Sequence, residues 1–231
     1  MLGRPLSRQG GKMTIYKYIE NKKYLFDILK RNELFFNSFR NYKDLCEVLT
    51  FIHDTNDNKD YIVQDYKNKI KACSFSQTKR EYLLWTHCAK NHQGFCIEFE
   101  FDNIVTVSEI KNVNKIILDN NDIYIFPIQY EGPYQVTVDI NRPDKKFSLS
   151  ETIDIVSHKY KYWNYEKEYR MITFSKKPCR ISFPKEAIKG ITSGALVSNK
   201  EVSNINKKIK IMGYNISTER LVLEPNLGIL I

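Results

Sequence analysis

Short apolar runs of two kinds alternate along the chain. Runs of β-branched and aromatic residues predict strands, whereas apolar residues spaced three and four apart predict amphipathic helices. The strand pattern covers 14–19, 34–37, 71–76, 95–101, 123–130, 169–174, 180–183, 189–192, 214–217 and 221–223. The helix pattern covers 24–31, 44–53, 81–90, 148–162 and 199–208. Because the two kinds of element interleave, the sequence predicts an α+β fold.

Local signals mark several element ends. Ser148 stands three residues before Glu151, which is the spacing of a capping box at a helix start. The Asx-rich stretch 54–60 and the stretch 141–146 predict flexible loops. Gly94 follows a predicted helix, and we expect it to be a C′ residue with positive φ. Short connections such as 176–179 suit hairpins, so we expect a largely antiparallel sheet.

Composition favours one large domain. The chain has 231 residues, of which 42% are hydrophobic, and no linker divides it. We predict a single α+β domain of catalytic type over 13–231. Residues 1–12 are rich in Gly, Arg and Ser, and we interpret them as a disordered leader or a cloning scar. The net charge of +9 favours a polyanion or a phosphate-bearing ligand, but the lysines form no block.

Cysteine usage and hydropathy indicate the compartment. The five cysteines are an odd number without Cys-x-x-Cys spacing, and we expect reduced thiols. No uninterrupted apolar run approaches the roughly 20 residues of a membrane span, so we expect no membrane partner. These features predict a cytoplasmic protein. Phosphate-binding Gly-rich loops and the Gly-x-Ser-x-Gly elbow are absent from the sequence.

The segment 163–170 carries the strongest candidate chemistry. If Glu166, Glu168 and Arg170 alternate along one strand, their side chains share a face. An acidic pair beside an arginine and framed by aromatic residues is typical of a functional site. The alternative interpretation is a solvated strand face on which Glu168 and Arg170 form an ordinary ion pair of little energetic value.

Three blocks of sequence resemble a known bacterial family. They are Ala72-Cys73-Ser74-Phe75-Ser76, the block from Trp85 to Phe99, and the block from Trp163 to Arg170. Together they resemble the domain-of-unknown-function family 2971 (DUF2971). The likeness extends over nearly everything after Met13, but the family name implies no activity.

A second resemblance concerns the order of chemical groups. Lys17 on the first strand, the Ser-x-Ser triplet 74–76 and the Glu-x-Glu triplet 166–168 resemble the motif order of mono-ADP-ribosyltransferases. That resemblance implies a split, mostly antiparallel sheet with flanking helices, NAD as the substrate and no metal. It also implies transfer of ADP-ribose to a macromolecule, a protein or a nucleic acid, by a protein of bacterial toxin or phage-defence type.

The transferase resemblance assigns roles to residues of this chain. Glu168 would hold the nicotinamide ribose and stabilise the oxocarbenium-like charge that forms when the glycosidic bond breaks. Glu166 would act as base toward the acceptor. The expected NAD-contacting residues are Tyr16, Lys17, Tyr18, Ser74, Ser76 and Arg170.

Two alternatives remain open at this stage. The first is a nucleic-acid-binding sensor module, whose phosphate groove would use Trp85, His87, His92, Lys159 and Lys161 together with Arg170. The second is metal-independent RNA cleavage by His87 or His92 with a glutamate. A metal site is not expected, because the two histidines are five residues apart and would project from different sides of a helix.

Overall fold

Six strands form a closed ring at the centre of the computed structural model, which describes residues 10–42, 51–52, 66–131, 135–136, 147–224 and 229–230. The strands are β1 (Gly11–Ile19), β2 (Glu33–Ser38), β3 (Phe51–Ile52), β4 (Ile70–Ser76), β5 (Phe95–Thr106), β6 (Asn114–Leu118), β7 (Asn121–Pro127), β8 (Gln129–Glu131), β9 (Gln135–Val136), β10 (His158–Tyr160), β11 (Glu168–Phe174), β12 (Cys179–Ser182), β13 (Ile188–Ser193), β14 (Thr218–Arg220), β15 (Leu223–Glu224) and β16 (Ile229–Leu230). The helices are α1 (Lys22–Arg31), α2 (Tyr82–His87), α3 (Leu149–Val156) and α4 (Asn199–Ile211). Three 3₁₀ turns span Phe39–Asn41, Lys161–Glu166 and Lys185–Ala187.

The ring runs in the order β4, β11, β7, β6, β5 and β1 and returns to β4. Every pairing within it is antiparallel. The predicted α+β class with a mostly antiparallel sheet is therefore confirmed. The expected split sheet is not what the strands form, because β1 pairs with both β5 and β4 and so closes the ring.

Among the strand pairings of the ring, the one between β1 and β4 is the shortest. These strands meet at one residue pair, Tyr16 with Ser76. Farther along the same edge, β4 pairs with β2 through Ala72 and Lys71. Residues 73–75 thus have no strand partner on that edge among the described residues, and a cleft opens beside them.

Two large hydrophobic clusters and a smaller one around Trp85 cover the faces of the ring strands. One receives buried side chains from all six ring strands and from α1 and α4; Ile15, Phe99 and Met171 are examples. The other large cluster packs Phe126 and Ile172 against helix α3. Each buried large apolar side chain contributes about 1.5–3 kcal/mol relative to exposure, so the clusters fix the strand faces.

Helix ends follow the sequence signals in part. The predicted capping box is confirmed, since the Ser148 side chain accepts from the Glu151 N–H and the Glu151 carboxylate accepts from the Ser148 N–H. Helix α3 ends at Val156 and not near residue 162, because β10 pairs in parallel with β8.

Other predicted elements differ from those in the structure or lie outside the described residues. Residues 214–217 are not a strand, and β14 begins at Thr218. Most of the predicted helix 44–53 and the loops 54–60 and 141–146 lie outside the described residues, while 51–52 form β3. The first strand starts at Gly11, two residues before the predicted domain start, and Lys12 lies 3.3 Å from carboxylate oxygens of both Glu100 and Asp102.

Gly94 is required for close packing and not for positive φ, which corrects the prediction. It is absent from the described residues with positive φ, whereas Lys90, Asn91 and His92 adopt this conformation. A Cβ atom on Gly94 would lie 2.3 Å from the Ile19 carbonyl oxygen.

Two further predictions concern the cysteines and the hydropathy of the helices. Four cysteines, Cys73, Cys88, Cys96 and Cys179, are free thiols, as predicted. Within the part of the chain that the structure describes, no helix has the length and apolar character needed to cross a membrane.

Candidate functional site

A cavity of about 660 Å³ lies between β1, β4, helix α2 and the 3₁₀ turn Lys161–Glu166. This volume is in the range of small-molecule sites. The three segments of the predicted transferase motif meet here. The polar and aromatic lining residues include Tyr16, Lys17, Tyr18, Glu20, Tyr24, Tyr42, Ser74, Ser76, His87, Cys88, Lys159, Trp163, Glu166 and Glu168.

Glu168 and Arg170 form a buried ion pair at the base of this cavity. The Arg170 Nε atom lies 2.8 Å from Oε1 of Glu168, and the side chains are 0% and 3% exposed. The guanidinium packs over the rings of Phe39 and Tyr42, 5.2 and 5.1 Å from their centroids. It also donates to the Val156 carbonyl oxygen. The interpretation as a solvated strand face is therefore wrong.

The charge of Glu168 follows from these neighbours. Burial alone raises the pKa of this carboxyl group, but the positive charges of Arg170 and Lys159 outweigh burial and lower the pKa to about 2. Glu168 is thus ionised at neutral pH. Its backbone N–H donates to the Tyr130 hydroxyl at 2.8 Å, which anchors the start of β11.

Glu166 does not alternate with Glu168 along a strand, contrary to the prediction. It ends the 3₁₀ turn Lys161–Glu166, and Lys167 follows with φ of 44°. The two carboxylates are instead joined by Lys159, whose Nζ lies 2.5 Å from Glu166 Oε2 and 3.1 Å from Glu168 Oε2. Burial raises the pKa of Glu166, against the opposing charge of Lys159.

Lys17 points its ammonium at the unpaired edge of β4. Its Nζ donates to the Ser74 carbonyl oxygen at 3.0 Å and lies 3.2 Å from Cys73 Sγ. Burial lowers the pKa of Lys17, whereas Cys73, Tyr24 and Glu168 raise it, and the pKa lies above its usual value. The Lys17 side chain thus lies in the cavity wall against the edge of β4.

The two serines make different contacts. The Ser74 hydroxyl shares a 3.1 Å hydrogen bond with the Tyr42 hydroxyl. The Ser76 hydroxyl donates to the Glu166 carbonyl oxygen at 2.7 Å and accepts from the Thr78 N–H. Ser76 thus holds the turn that carries Glu166.

Arg170 does not reach the cavity, which corrects its predicted contact with NAD. Its side chain is fully buried, and it is not among the residues that line the cavity. Because it holds Oε1 of Glu168, its effect on a ligand would act through that carboxylate.

The six residues of the predicted nucleic-acid groove, Arg170 included, do not line one common groove. Trp85 is fully buried and donates from Nε1 to the Lys79 carbonyl oxygen, and His92 is buried beside it. Lys159 is engaged by the two carboxylates, and Lys161 is exposed. His87 is exposed and lines the cavity, with Nδ1 3.0 Å from the Tyr165 hydroxyl.

Sequence reasoning missed several contributors to the site. Tyr42, Tyr130 and Trp163 were not among the predicted site residues, and Lys159 was considered only for a nucleic-acid groove. Tyr42 meets Ser74 through tertiary packing, so no spacing in the sequence indicates it. Among the described residues, no three His, Cys, Asp or Glu side chains are grouped as a metal site would require.

Comparison with protein families gives a match to part of the chain. A family described as "Protein of unknown function (DUF2971)" matches residues 84–171. This match supports the DUF2971 family. The DUF2971 match covers less than half of the chain but contains Lys159, Glu166 and Glu168. Searches of curated proteins and of solved structures return no significant match.

Proposed function

We propose that this protein cleaves the nicotinamide–ribose bond of NAD and transfers ADP-ribose to a macromolecular acceptor. The observation that carries the proposal is the pair of carboxylates on Lys159. Their environments displace the two pKa values in opposite directions, downward at Glu168 and upward at Glu166. Such a divergence is typical of carboxylates with different catalytic roles.

Glu168 suits the stabilisation of positive charge. Cleavage of the glycosidic bond leaves positive charge on the ribose, and a fixed, ionised carboxylate opposes that charge at little reorganisation cost. Arg170 and Lys159 each take one lone pair of a different oxygen of Glu168. The Ser74 side chain is a third hydrogen-bond partner of this carboxylate, and a ribose hydroxyl can donate to the acceptor position that remains.

Lys17 suits a phosphate group. Its ammonium has three N–H donors, and two of these face the Ser74 carbonyl oxygen and Cys73 Sγ. Among the described residues it makes no ion pair with a carboxylate. The remaining donor favours an anionic oxygen such as those of the NAD diphosphate.

The proposed reaction proceeds by substitution at C1′ of the nicotinamide ribose. The C1′–N bond breaks, and nicotinamide leaves with the bonding electron pair. A nucleophile of the acceptor then bonds to C1′ and loses its proton, which the Glu166 carboxylate accepts. Tyr16 and Tyr18 line the cavity, and aromatic residues there suit contact with the nicotinamide ring.

Nicotinamide release and label transfer from NAD test this proposal. Glu168→Gln should lower nicotinamide release by about 100- to 1,000-fold, the usual effect of removing a preorganised charge-stabilising group. Glu219→Gln is the matched control, because its side chain is 75% exposed. Thermal melts should accompany both variants, since Glu168 is also part of a buried ion pair. The proposal fails if the folded wild-type protein neither releases nicotinamide nor labels any acceptor.

A second candidate function is metal-independent RNA cleavage. The observation that favours it is the exposed His87, which lines the same cavity as Glu166 and contacts the Tyr165 hydroxyl. An imidazole and a carboxylate can act as acid and base on a ribose 2′-hydroxyl. RNA degradation in excess chelator that His87→Ala abolishes, without any turnover of NAD, would favour this function over the transferase.

A further inference from the structure

Four aromatic side chains follow one another along the segment that leads to Glu166. They are Tyr160, Tyr162, Trp163 and Tyr165, which we call the aromatic rim. Trp163 lines the cavity itself. The rings form two contacting pairs, Tyr160 with Tyr162 at 5.0 Å and Trp163 with Tyr165 at 5.9 Å between centroids.

One ring of the rim lies largely in water. Tyr162 is 71% exposed, although a tyrosine ring gains free energy when it is covered. Tyr162 belongs to the same 3₁₀ turn as Glu166, so a partner that covers its ring binds the segment that carries the proposed base.

Positive charge lies within and directly after the rim segment. Lys161 is exposed, its Nζ lies 5.6 Å from the Tyr162 ring centre, and it has no ion-pair partner among the described residues. Lys167 is 54% exposed and lies 3.9 Å from the carboxylate of Glu81. A partner at the rim therefore meets the Lys161 ammonium next to the open Tyr162 ring.

We propose that the aromatic rim binds single-stranded nucleic acid and that a base of this strand is the acceptor of ADP-ribose. The inference rests on the proposed function and specifies its acceptor. Stacked bases cover aromatic faces, and a phosphate between them neutralises Lys161. A protein acceptor would cover the rings but would not in general supply a regular line of negative charges.

The transfer to a base balances as a simple substitution. The C1′–N bond to nicotinamide breaks, a nitrogen of the base forms a bond to C1′, and that nitrogen loses one proton. The products are ADP-ribosylated nucleic acid, nicotinamide and a proton taken up by Glu166.

Equilibrium binding tests the rim without any dependence on catalysis. Fluorescence anisotropy should show that wild-type protein binds single-stranded DNA or RNA oligonucleotides, with separate titrations distinguishing the two. Tyr162→Ala should weaken binding by about 5- to 150-fold, which corresponds to loss of one base–aromatic stack. Lys161→Ala should reduce the slope of log affinity against log salt by about 0.7, the value for one phosphate contact on a single strand.

Two exposed residues of helix α4 serve as matched controls. Ile211 is 85% exposed and Lys207 is also exposed, and neither lies near the rim in the sequence. Ile211→Ala and Lys207→Ala should bind oligonucleotides like the wild type. The inference is overturned if the wild type does not bind either kind of oligonucleotide, or if Tyr162→Ala binds as tightly as Ile211→Ala.

Label transfer from NAD separates this inference from the proposed function. Tyr162→Ala should keep the wild-type rate of nicotinamide release into water and lose transfer to the oligonucleotide by the same factor as binding. Nicotinamide release with label on protein alone would overturn the inference and leave the proposed function standing. Oligonucleotide binding without any nicotinamide release would overturn the acceptor role and the proposed function together.

Discussion

Arg170 and Glu168 stand two residues apart on strand β11 and are joined by a 2.8 Å contact between Nε and Oε1. Neither side chain is more than 3% exposed. Arg170 is fixed independently by the rings of Phe39 and Tyr42 and by the Val156 carbonyl oxygen. The arginine therefore sets the position of the carboxylate, and Glu168 presents its other oxygen to Lys159 and the cavity.

Removal of the Glu168 carboxylate should destabilise the fold strongly. Glu168→Ala removes the carboxylate that lies 2.8 Å from the Nε atom of the buried Arg170, and the loss of one member of a buried ion pair typically costs about 3–5 kcal/mol. The free energy of unfolding from urea titration measures the effect. Glu219→Ala, at a 75% exposed side chain, should change it by less than about 0.5 kcal/mol. A loss below about 1 kcal/mol at Glu168 would contradict the burial of this pair.

The Glu168–Arg170 ion pair should make the free energy of unfolding depend on pH in the acid range. The pKa of Glu168 is lowered to about 2 in the folded state, from an ordinary value of 4.5. The unfolded chain binds the proton more readily, so this stabilisation is complete above about pH 4.5 and is lost as pH falls toward 2. The difference in unfolding free energy between wild type and Glu168→Gln should therefore shrink below pH 4.5. A difference that stays constant from neutral pH to acid would argue against a depressed pKa.

Local sequence signals predicted the parts of the site that a single strand controls. The period of two in β11 predicted that Glu168 and Arg170 share a face, and they do. The spacing of Ser148 and Glu151 predicted a capping box, which starts helix α3. These features depend on neighbours within a few residues, and for that reason the sequence was sufficient.

Tertiary contacts determine the parts that the sequence did not reveal. Glu166 leaves the strand because Lys167 adopts positive φ, an uncommon conformation for a lysine that no residue pattern marks. Lys159 reaches both carboxylates because β10 pairs with β8 and thereby ends the predicted helix early. Closure of the ring depends on contacts between strands that are distant in sequence, and periodicity carries no information about them.

Gly94 offers a test of the packing at the start of β5. A Cβ atom there would lie 2.3 Å from the Ile19 carbonyl oxygen and 2.8 Å from that of Ala89, and both are backbone atoms. Gly94→Ala should lower the free energy of unfolding by about 1–3 kcal/mol or more, as overpacking does. Gly190→Ala is the matched control, because its Cβ would come no closer than 4.0 Å to the Glu98 side chain. Thermal unfolding of both variants measures the effect: Gly94→Ala should lower stability clearly more than Gly190→Ala. Equal losses of stability in the two variants would refute the steric explanation.

The loss of activity on the acid side of the pH–rate profile should follow the protonation of Glu166. Burial raises its pKa, and the nearby Lys159 charge lowers it in opposition. If the ionised form accepts the proton of the acceptor, label transfer from NAD should fall as pH drops through this raised pKa.

Lys159→Met removes the opposing charge, so the pKa of Glu166 should rise further and the acid limb should move to higher pH. The measurement is kcat/KM for label transfer against pH in wild type, Lys159→Met and Lys207→Met, the last being an exposed lysine of helix α4. Lys207→Met should retain the wild-type limb. Because Lys159 also contacts Glu168, Lys159→Met should also lower the maximal rate of label transfer. A shift of the acid limb to another pH, in contrast, requires a change in the pKa of Glu166. An unmoved limb in a folded Lys159→Met protein would mean that Glu166 is not the base.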